Sequence, residues 1–245
     1  MKKNLLPIMI VAAGLMITAC NNGPKNNENT VKDETETEQI NNESDEEDVL
    51  DEDPTGIVSI RESWASQKIN VNSGDQKPGI EQFALAFCKT YPQNDINHVL
   101  RDYLISPEDF GESDYSIEVL PSNGYIECMW LVQTAPLTDV CYWNRKNGHK
   151  LVAAYMEEDH ESGVYSEHLA VFYDYDPETD IMTPEPSLTN MIEERVKEYD
   201  NFSVTLPSEG KDIQVFGFID NLELDNCDVV EMELKWNGMT FDWAD

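Results

Sequence analysis

The chain has 245 residues, of which 49 are acidic and 16 are basic, and its formal net charge at pH 7 is −33. So acidic a chain repels phosphate backbones, which makes nucleic acid an unsuitable partner and leaves cationic proteins, sugars and divalent cations as compatible ones. The sequence holds no phosphate-binding glycine loop, no G-x-S-x-G elbow and no C-x-x-C pair. Local motifs therefore predict no phosphate site, no serine nucleophile and no zinc ribbon.

The first twenty residues have the layout of a secretory signal. Lys2 and Lys3 precede an apolar run, Leu5 to Ala19, that is too short to span a bilayer as a helix. The run ends in Ile17-Thr18-Ala19-Cys20, which resembles the lipobox of bacterial lipoproteins. That resemblance implies cleavage before Cys20 and a lipid anchor on its thiol. The alternative is an ordinary secretory signal with a chance cysteine.

Residues 20–53 are predicted to be a lipidated cysteine and an acidic, disordered tether. Residues 28–53 carry thirteen carboxylates and one lysine, with too few apolar side chains to offset the entropy of ordering. By the lipoprotein resemblance, Asn21 favours the outer over the inner membrane. The acidic run loosely resembles the surface-export signals of Bacteroidetes lipoproteins, and both the periplasmic and the surface face stay open. Residues 54–245 are long enough for a single ectodomain.

Apolar residues at helical spacing predict two short helices early in this ectodomain. The first begins near Pro78 and ends before Pro92, and the second has Asn94 as its expected N-cap and ends before Pro107. We expect this pair to pack on a flatter layer. A third helix is predicted around Met191 to Tyr199, with Asn190 and Glu193 spaced like a capping box.

Alternation of apolar and polar residues predicts the strands, and three Asn-Gly pairs mark tight turns between them. Runs of strands with helices set apart indicate an α+β domain: an antiparallel, hairpin-rich β-sheet with a few short helices. Trp64 and Ile69 are expected core residues ahead of the helices. The predicted strands are 115–119, 126–132, 141–143, 151–156, 168–175, 202–206, 212–219, 229–236 and 239–243.

The last predicted hairpin contains Trp236-Asn237-Gly238-Met239-Thr240-Phe241. It looks like the W-N-G-x-x-F hairpin that closes many exported bacterial domains of unassigned role, so the ectodomain resembles uncharacterised exported lipoproteins of Bacteroidetes type. Besides Cys20, an even number of cysteines in an exported chain allows two disulfides in any of three pairings. The alternative is four small buried thiols. These cysteines are Cys88, Cys128, Cys141 and Cys227.

Two acidic groups are candidate metal sites. Four alternating carboxylates resemble a calcium loop, but Thr179 stands where such a loop needs glycine, which favours a solvated acidic turn. His160 and His168 lie among glutamates without any recognised ligand spacing. We therefore predict no metal and no cofactor. No pair of the many carboxylates is singled out by an apolar neighbourhood as a catalytic pair. The four alternating carboxylates are Asp174, Asp176, Glu178 and Asp180.

One predicted hairpin tip concentrates positive charge beside aromatic residues. Such a tip can hold an anion or stack a sugar, and the alternative is a solvated turn. Because Tyr142 and Trp143 point to opposite faces of a strand, we expect one in the core and the other beside the tip. Turn geometry is expected to rest on Asn147-Gly148. The candidate binding residues are Trp143, Arg145, Lys146, His149 and Lys150.

These observations favour a membrane-anchored envelope lipoprotein that acts as a non-catalytic binding module. Its expected partners are the membrane, through the lipid on Cys20, and a protein or glycan ligand. One alternative is an inhibitor of a cationic hydrolase of the lysozyme or protease type, since an acidic domain suits a basic target. A second alternative is a carboxylate-dependent hydrolase, because such enzymes need no local motif.

Overall fold

The computed structural model describes residues 64, 66–74, 77–92, 95–110, 114–131, 137–159, 166–221 and 226–244. The predicted signal peptide, the lipidation site Cys20 and the tether lie outside these residues, as do Asn94 and His160 and the side chain of Cys227. Among the described residues, no helix is long and apolar enough to cross a membrane.

Seven strands form the larger sheet, in the spatial order β1-β7-β6-β5-β4-β3-β2, and every neighbouring pair is antiparallel. Strands β2 to β7 are neighbours in space as they are in the chain, and β1 joins at the β7 edge. The strands are β1 (Ile69–Asn70), β2 (Tyr115–Leu120), β3 (Tyr125–Trp130), β4 (Leu137–Asn144), β5 (Lys150–Asp159), β6 (Ser166–Asp176) and β7 (Ile181–Pro184).

Four further strands form a smaller antiparallel sheet, in the order β11-β10-β9-β8. They are β8 (Asn201–Thr205), β9 (Ile213–Asn221), β10 (Asn226–Trp236) and β11 (Phe241–Trp243). At the β10–β11 turn, Gly238 has a φ of +96°, a conformation that glycine adopts without the steric cost a Cβ would bring. The predicted Asn237-Gly238 turn therefore matches the backbone that the chain needs there.

Two helices, α1 (Ile80–Thr90) and α2 (Asp95–Ile105), lie on one face of the larger sheet, and a single 3-10 turn, Pro107–Asp109, follows them. The start of α1 is fixed by Gln82, whose side-chain oxygen accepts the backbone N–H of Gly79 at 2.8 Å. From α2, the buried amide of Asn97 donates to the carbonyl of Tyr91 at 3.1 Å and accepts from Thr138 at 3.0 Å. Both helices are thereby tied to β4.

The opposite face of the larger sheet carries helix α3 (Pro186–Val196) and the smaller sheet. Thr189 of α3 donates to the carbonyl of Ala170 in β6 at 2.8 Å. The predicted start at Asn190 is wrong: α3 begins four residues earlier, at Pro186, because a proline fits the first turn, where its missing N–H is not needed. Tyr199 lies beyond the end of the helix.

Both faces of the larger sheet are buried, so the domain has two cores. Along β5, alternate side chains enter one core or the other, which is why this strand reads as an almost continuous apolar run. The core under α1 and α2 receives Val152, Ala154 and Met156, and the core under the smaller sheet receives Leu151, Ala153 and Tyr155.

The predicted α+β class, dominated by antiparallel strands with a few short helices, is confirmed at that level. Expected core residues Trp64 and Ile69 are 3% and 2% exposed. One sheet was expected where the structure has two, and β7 was not predicted. Of the cysteines, Cys88, Cys128 and Cys141 are buried free thiols, and burial raises the pKa of Cys128 to about 12.

Candidate functional site

A groove lies at the end of the larger sheet where β4 extends beyond the neighbouring strand β3. Strand β3 begins opposite Cys141, while β4 continues to Asn144. The space beyond has a volume of about 480 Å³. It lies between the β2–β3 turn, the end of β4 and the β8–β9 loop. Its polar lining is Ser122, Asn123, Asn144, Glu209 and Lys211, and its aromatic lining is Tyr142, Trp143 and Trp236.

The groove walls are held together by hydrogen bonds between loops. The side-chain amide of Asn123 donates to the carbonyl of Ser208 at 2.7 Å, joining the β2–β3 turn to the β8–β9 loop. The indole N–H of Trp143 donates to the carbonyl of Lys211 at 2.9 Å. Gly124 has a φ of +70° and a Cβ there would lie 2.9 Å from the ring of Tyr142. The walls are therefore preformed, as is usual for a ligand site.

The aromatic residues of the groove differ in exposure. Trp143 is 4% exposed and packs edge-on to Phe241, with ring centroids 5.0 Å apart. Trp236 is half-buried and offers the more accessible ring. Tyr142 packs partly against the other core, under the ammonium of Lys150 at 4.0 Å from its ring centroid. Trp143 thus lies in a core, while Tyr142 is half-buried and lies beside Lys150 of the tip, as expected. Tyr142 also packs against the other core because both sheet faces are covered.

The predicted cationic tip is largely neutralised by its own surroundings. The Arg145 side chain is 8% exposed and forms ion pairs with Asp174 and with Glu185. Its Nε is buried without a hydrogen-bond partner among the described residues. His149 contacts the other oxygen of Asp174 through Nδ1 at 2.7 Å. The turn therefore does not rest on Asn147-Gly148 alone, since Arg145 fastens it to β6 and to the start of α3.

The two remaining lysines of the tip also have local partners. Lys146 donates its backbone N–H to the carbonyl of Gly238 at 3.1 Å and its ammonium to the carbonyl of Asn237 at 3.0 Å. Lys150 donates to the side-chain oxygen of Asn144 at 2.7 Å. Of the five predicted binding residues, Trp143 lines the groove and Lys150 contacts Asn144 of its lining, while the others fasten the tip.

Three of the four alternating carboxylates that resemble a calcium loop have separate structural roles. Asp174 pairs with Arg145, and Asp176 accepts the backbone N–H of Glu178 at 2.8 Å. That hydrogen bond is the main cause of the lowered pKa of Asp176. Asp180, with a φ of +58°, accepts both the backbone N–H and the hydroxyl of Ser73 at 2.8 Å. The group is an acidic turn that also fastens the segment after β1.

A second polar cluster lies on the sheet face that the smaller sheet covers. The strand register places Glu127 of β3 opposite Asp139 of β4, and Asp139 opposite Tyr155 of β5. Glu157 of β5 is opposite His168 of β6. Because side chains alternate along a strand, these groups share one face. Three carboxylates, two phenols and an imidazole thus meet there: Glu127, Asp139, Glu157, Tyr125, Tyr155 and His168.

Asp139 is the most buried carboxylate of this cluster. It is 4% exposed, and its Oδ1 has no hydrogen-bond partner among the described residues. Burial raises its pKa well above the usual carboxyl value, and the negative charge of Glu127 raises it further. The Tyr125 hydroxyl donates to Glu127 Oε2 at 2.9 Å. His168 Nδ1 lies 2.9 Å from the Tyr155 hydroxyl and 3.8 Å from Glu157 Oε2.

Sequence reasoning missed this cluster because it started β4 at Cys141. Extending the alternation back to Leu137 places Asp139 on the same face as Cys141 and Trp143. A strand buried on both faces leaves no solvated side for a carboxylate, which is the signal that was available. The members come from four strands, so no local spacing reveals that they meet.

No protein-family model matches this chain, and no curated protein matches it. Among solved structures, a domain of an uncharacterized protein from Porphyromonas gingivalis W83 is similar, with 10% sequence identity and a TM-score of 0.39, covering 68% of this chain and 100% of that one. A likeness this weak carries no argument about family or function.

Proposed function

We propose that this protein is a non-catalytic binding module of the bacterial cell envelope, anchored through a lipid on Cys20, preferentially at the outer membrane. The groove at the end of β4 is the proposed ligand site. The observation that supports it is the combination of preformed walls with convergent polar side chains and an accessible ring. Preformed walls reduce the ordering cost of binding.

A glycan is the ligand class that suits this lining best. Asn123 and Asn144 offer amide donors and acceptors, and Glu209 and Lys211 add a carboxylate and an ammonium that hydroxyl groups can contact. The half-buried Trp236 supplies an apolar ring face of the kind on which a sugar ring stacks. Asn144 is fixed in position because it accepts from Lys150.

Calorimetric titration of the purified protein with envelope oligosaccharides tests this proposal. The exposed residues Glu209 and Lys211 are replaced together by alanine, which leaves the net charge unchanged. Binding should weaken at least tenfold in this variant. The matched control is Glu81→Ala with Lys89→Ala, which removes the same two charges from exposed positions of α1. Equal weakening in both variants, or saccharide binding that the groove variant leaves intact, would remove the groove from consideration.

The anchor has its own test. Metabolic labelling with a fatty-acid analogue should mark the wild-type protein and leave Cys20→Ser unmarked. Labelling of both proteins to the same extent would contradict lipidation at Cys20.

The carboxylate-dependent hydrolase is retained as a second candidate because one specific feature favours it. Asp139 has a raised pKa beside Glu127 and Glu157, and acid–base hydrolysis uses a neutral carboxyl next to an ionised one. Release of reducing sugar from the same oligosaccharides, abolished by Glu157→Gln, would establish it. The inhibitor alternative predicts binding to a basic hydrolase that falls steeply with salt, whereas glycan binding should be insensitive to salt.

A further inference from the structure

The cluster around Asp139 places one carboxyl group at a buried site directly beside another. An ionised carboxylate at a site 4% exposed, with one oxygen unpartnered, would be strongly disfavoured. Glu127 lies directly opposite it across the β3–β4 ladder, and like charges at such positions repel. Both carboxylates therefore cannot be ionised together without a large penalty.

Every strand packed around Asp139 brings titratable groups, and most of them are acidic. Strands β3 to β6 contain two basic residues, Lys150 and His168, and Lys150 lies at the far end of β5. His168 is next to Glu157 and Tyr155, on β6, which is two strands away from Asp139 on β4. From the smaller sheet, β8 brings Phe202 and Val204. The titratable neighbours are Tyr125 and Glu127 of β3, Cys141 of β4, Tyr155 and Glu157 of β5 and His168 of β6.

Burial indicates which member of the pair carries the proton. Asp139 is 4% exposed and its Oδ1 has no hydrogen-bond partner among the described residues, whereas Glu127 is partly exposed and its Oε2 accepts the Tyr125 hydroxyl. Burial disfavours the charged form of a carboxyl group. Asp139 is thus the member that holds the proton.

We propose that Glu127 and Asp139 form a proton-binding site that holds one proton at neutral pH, and that its release at higher pH loosens the smaller sheet from the larger one. In this step the O–H bond of Asp139 breaks, the proton passes to solvent on the exposed side of Glu127, and the electron pair stays on Asp139. The ligand of the site is the proton itself.

The link to the smaller sheet runs through the neighbouring strands. Phe202 of β8 packs on the His168 ring with centroids 5.5 Å apart. Val204 of β8 is buried in the same core cluster as Tyr155, and Tyr155 is the cross-strand partner of Asp139. A new negative charge on Asp139 therefore changes the electrostatic environment of Tyr155 and His168, the residues against which β8 packs.

The sign of the pH dependence follows from the raised pKa of Asp139. Above the ordinary aspartate pKa of about 3.9, the unfolded chain has released this proton while the folded chain keeps it. Unfolding then releases one proton, so the unfolding equilibrium constant rises up to tenfold per pH unit until the folded pKa is reached. The contribution to stability is thus complete in acid and is lost as the pH rises.

Denaturant unfolding of the wild type and of Asp139→Asn between pH 5 and pH 8 tests the site. The ratio of their unfolding constants, wild type over variant, should rise with pH by up to tenfold per unit, because the amide cannot release a proton. Glu231→Gln, which removes an exposed carboxylate from β10, should give a ratio that is constant with pH. A constant ratio for Asp139→Asn as well would overturn the proposal.

Infrared spectroscopy gives a second readout, whose first part needs only the wild-type protein. The wild type at pH 7 should show the carbonyl band of one protonated carboxylic acid, and Glu127→Gln should shift that band. Absence of the band, or a band that Glu127→Gln leaves unshifted, contradicts a shared proton. For the loosening itself, the Val204 amide should exchange at least threefold more slowly in Asp139→Asn than in the wild type at pH 8. Equal exchange would overturn that part.

Discussion

The two ends of the larger sheet neutralise their carboxylates in different ways. At the hairpin tip, Arg145 lies between Asp174 and Glu185 and supplies a positive charge to both. At the other end, Asp139 faces Glu127, and among the described residues of β3 and β5 the one basic side chain, Lys150, lies at the far end of β5. A carboxylate that is buried, as Asp139 is, or half-buried, as Asp174 and Glu185 are, is stabilised either by a cation or by a proton. The tip uses a cation, Arg145, which keeps its charge over moderate changes of pH. The Asp139 cluster uses a proton, which is lost as the pH rises.

Removing the cation should have the largest effect. Arg145→Ala leaves Asp174 and Glu185 as neighbouring carboxylates without their shared partner, so the free energy of unfolding should fall by about 3 kcal/mol. Chemical denaturation at pH 7 measures this fall. Lys89→Ala, an exposed change on α1, should stay within about 0.5 kcal/mol of the wild type. A loss of less than about 1 kcal/mol for Arg145→Ala would show that the tip does not depend on its ion pairs.

At the opposite end, removing a carboxylate should stabilise the protein. Asp139→Asn replaces the group with a neutral amide that can donate to Glu127, so we expect a gain of about 1–2 kcal/mol in the free energy of unfolding at pH 8. The gain should shrink toward pH 5, where the wild-type carboxyl is protonated in the folded state. Destabilisation at pH 8 would mean that Asp139 is ionised and paired, and the contrast between the two ends would disappear.

The smallest expected effect concerns the groove beside the tip. Asn123→Ala removes the hydrogen bond to the carbonyl of Ser208, an exposed contact that should contribute about 0.5–1 kcal/mol. Thermal unfolding measures the loss. If the groove is the ligand site, the binding free energy for a saccharide should weaken by more than this loss of stability. The reason is that the β8–β9 loop, which carries Lys211, is no longer held by Asn123. Thr205→Ala, an exposed change on β8, serves as the control.

The sequence was informative where structure is local. Apolar periodicity located α1 and α2, and the Asn-Gly pairs located turns at Gly124, Gly148 and Gly238, where the backbone has positive φ. It was uninformative where strands meet across long separations. Nothing local indicates that β8 to β11 leave the first sheet to cover it. The meeting of Glu127, Asp139 and Glu157 depends on register between strands that the sequence does not specify.

The candidate site was predicted only in part. Trp143 and Lys150 adjoin the groove, but the charge of Arg145 is used inside the domain, since Asp174 and Glu185 reach it from distant parts of the chain. Basic residues near a turn resemble a contact surface in the sequence, because the carboxylates that pair with them are distant in the chain. Asn123 and Lys211, which line the groove, lie in the β2–β3 turn and the β8–β9 loop, where the sequence carries no binding motif.

The edge strand β1 has a mechanical consequence. It consists of two residues paired with β7, and any tension entering the described domain from its N-terminal side reaches this strand before the others. A β1–β7 ladder of only two residue pairs would separate easily under such a force. Just after it, the Asp180 carboxylate holds both the backbone N–H and the hydroxyl of Ser73 at 2.8 Å. A force that detaches Ile69 and Asn70 from β7 would therefore next have to break these two hydrogen bonds to Asp180 before it could unfold α1.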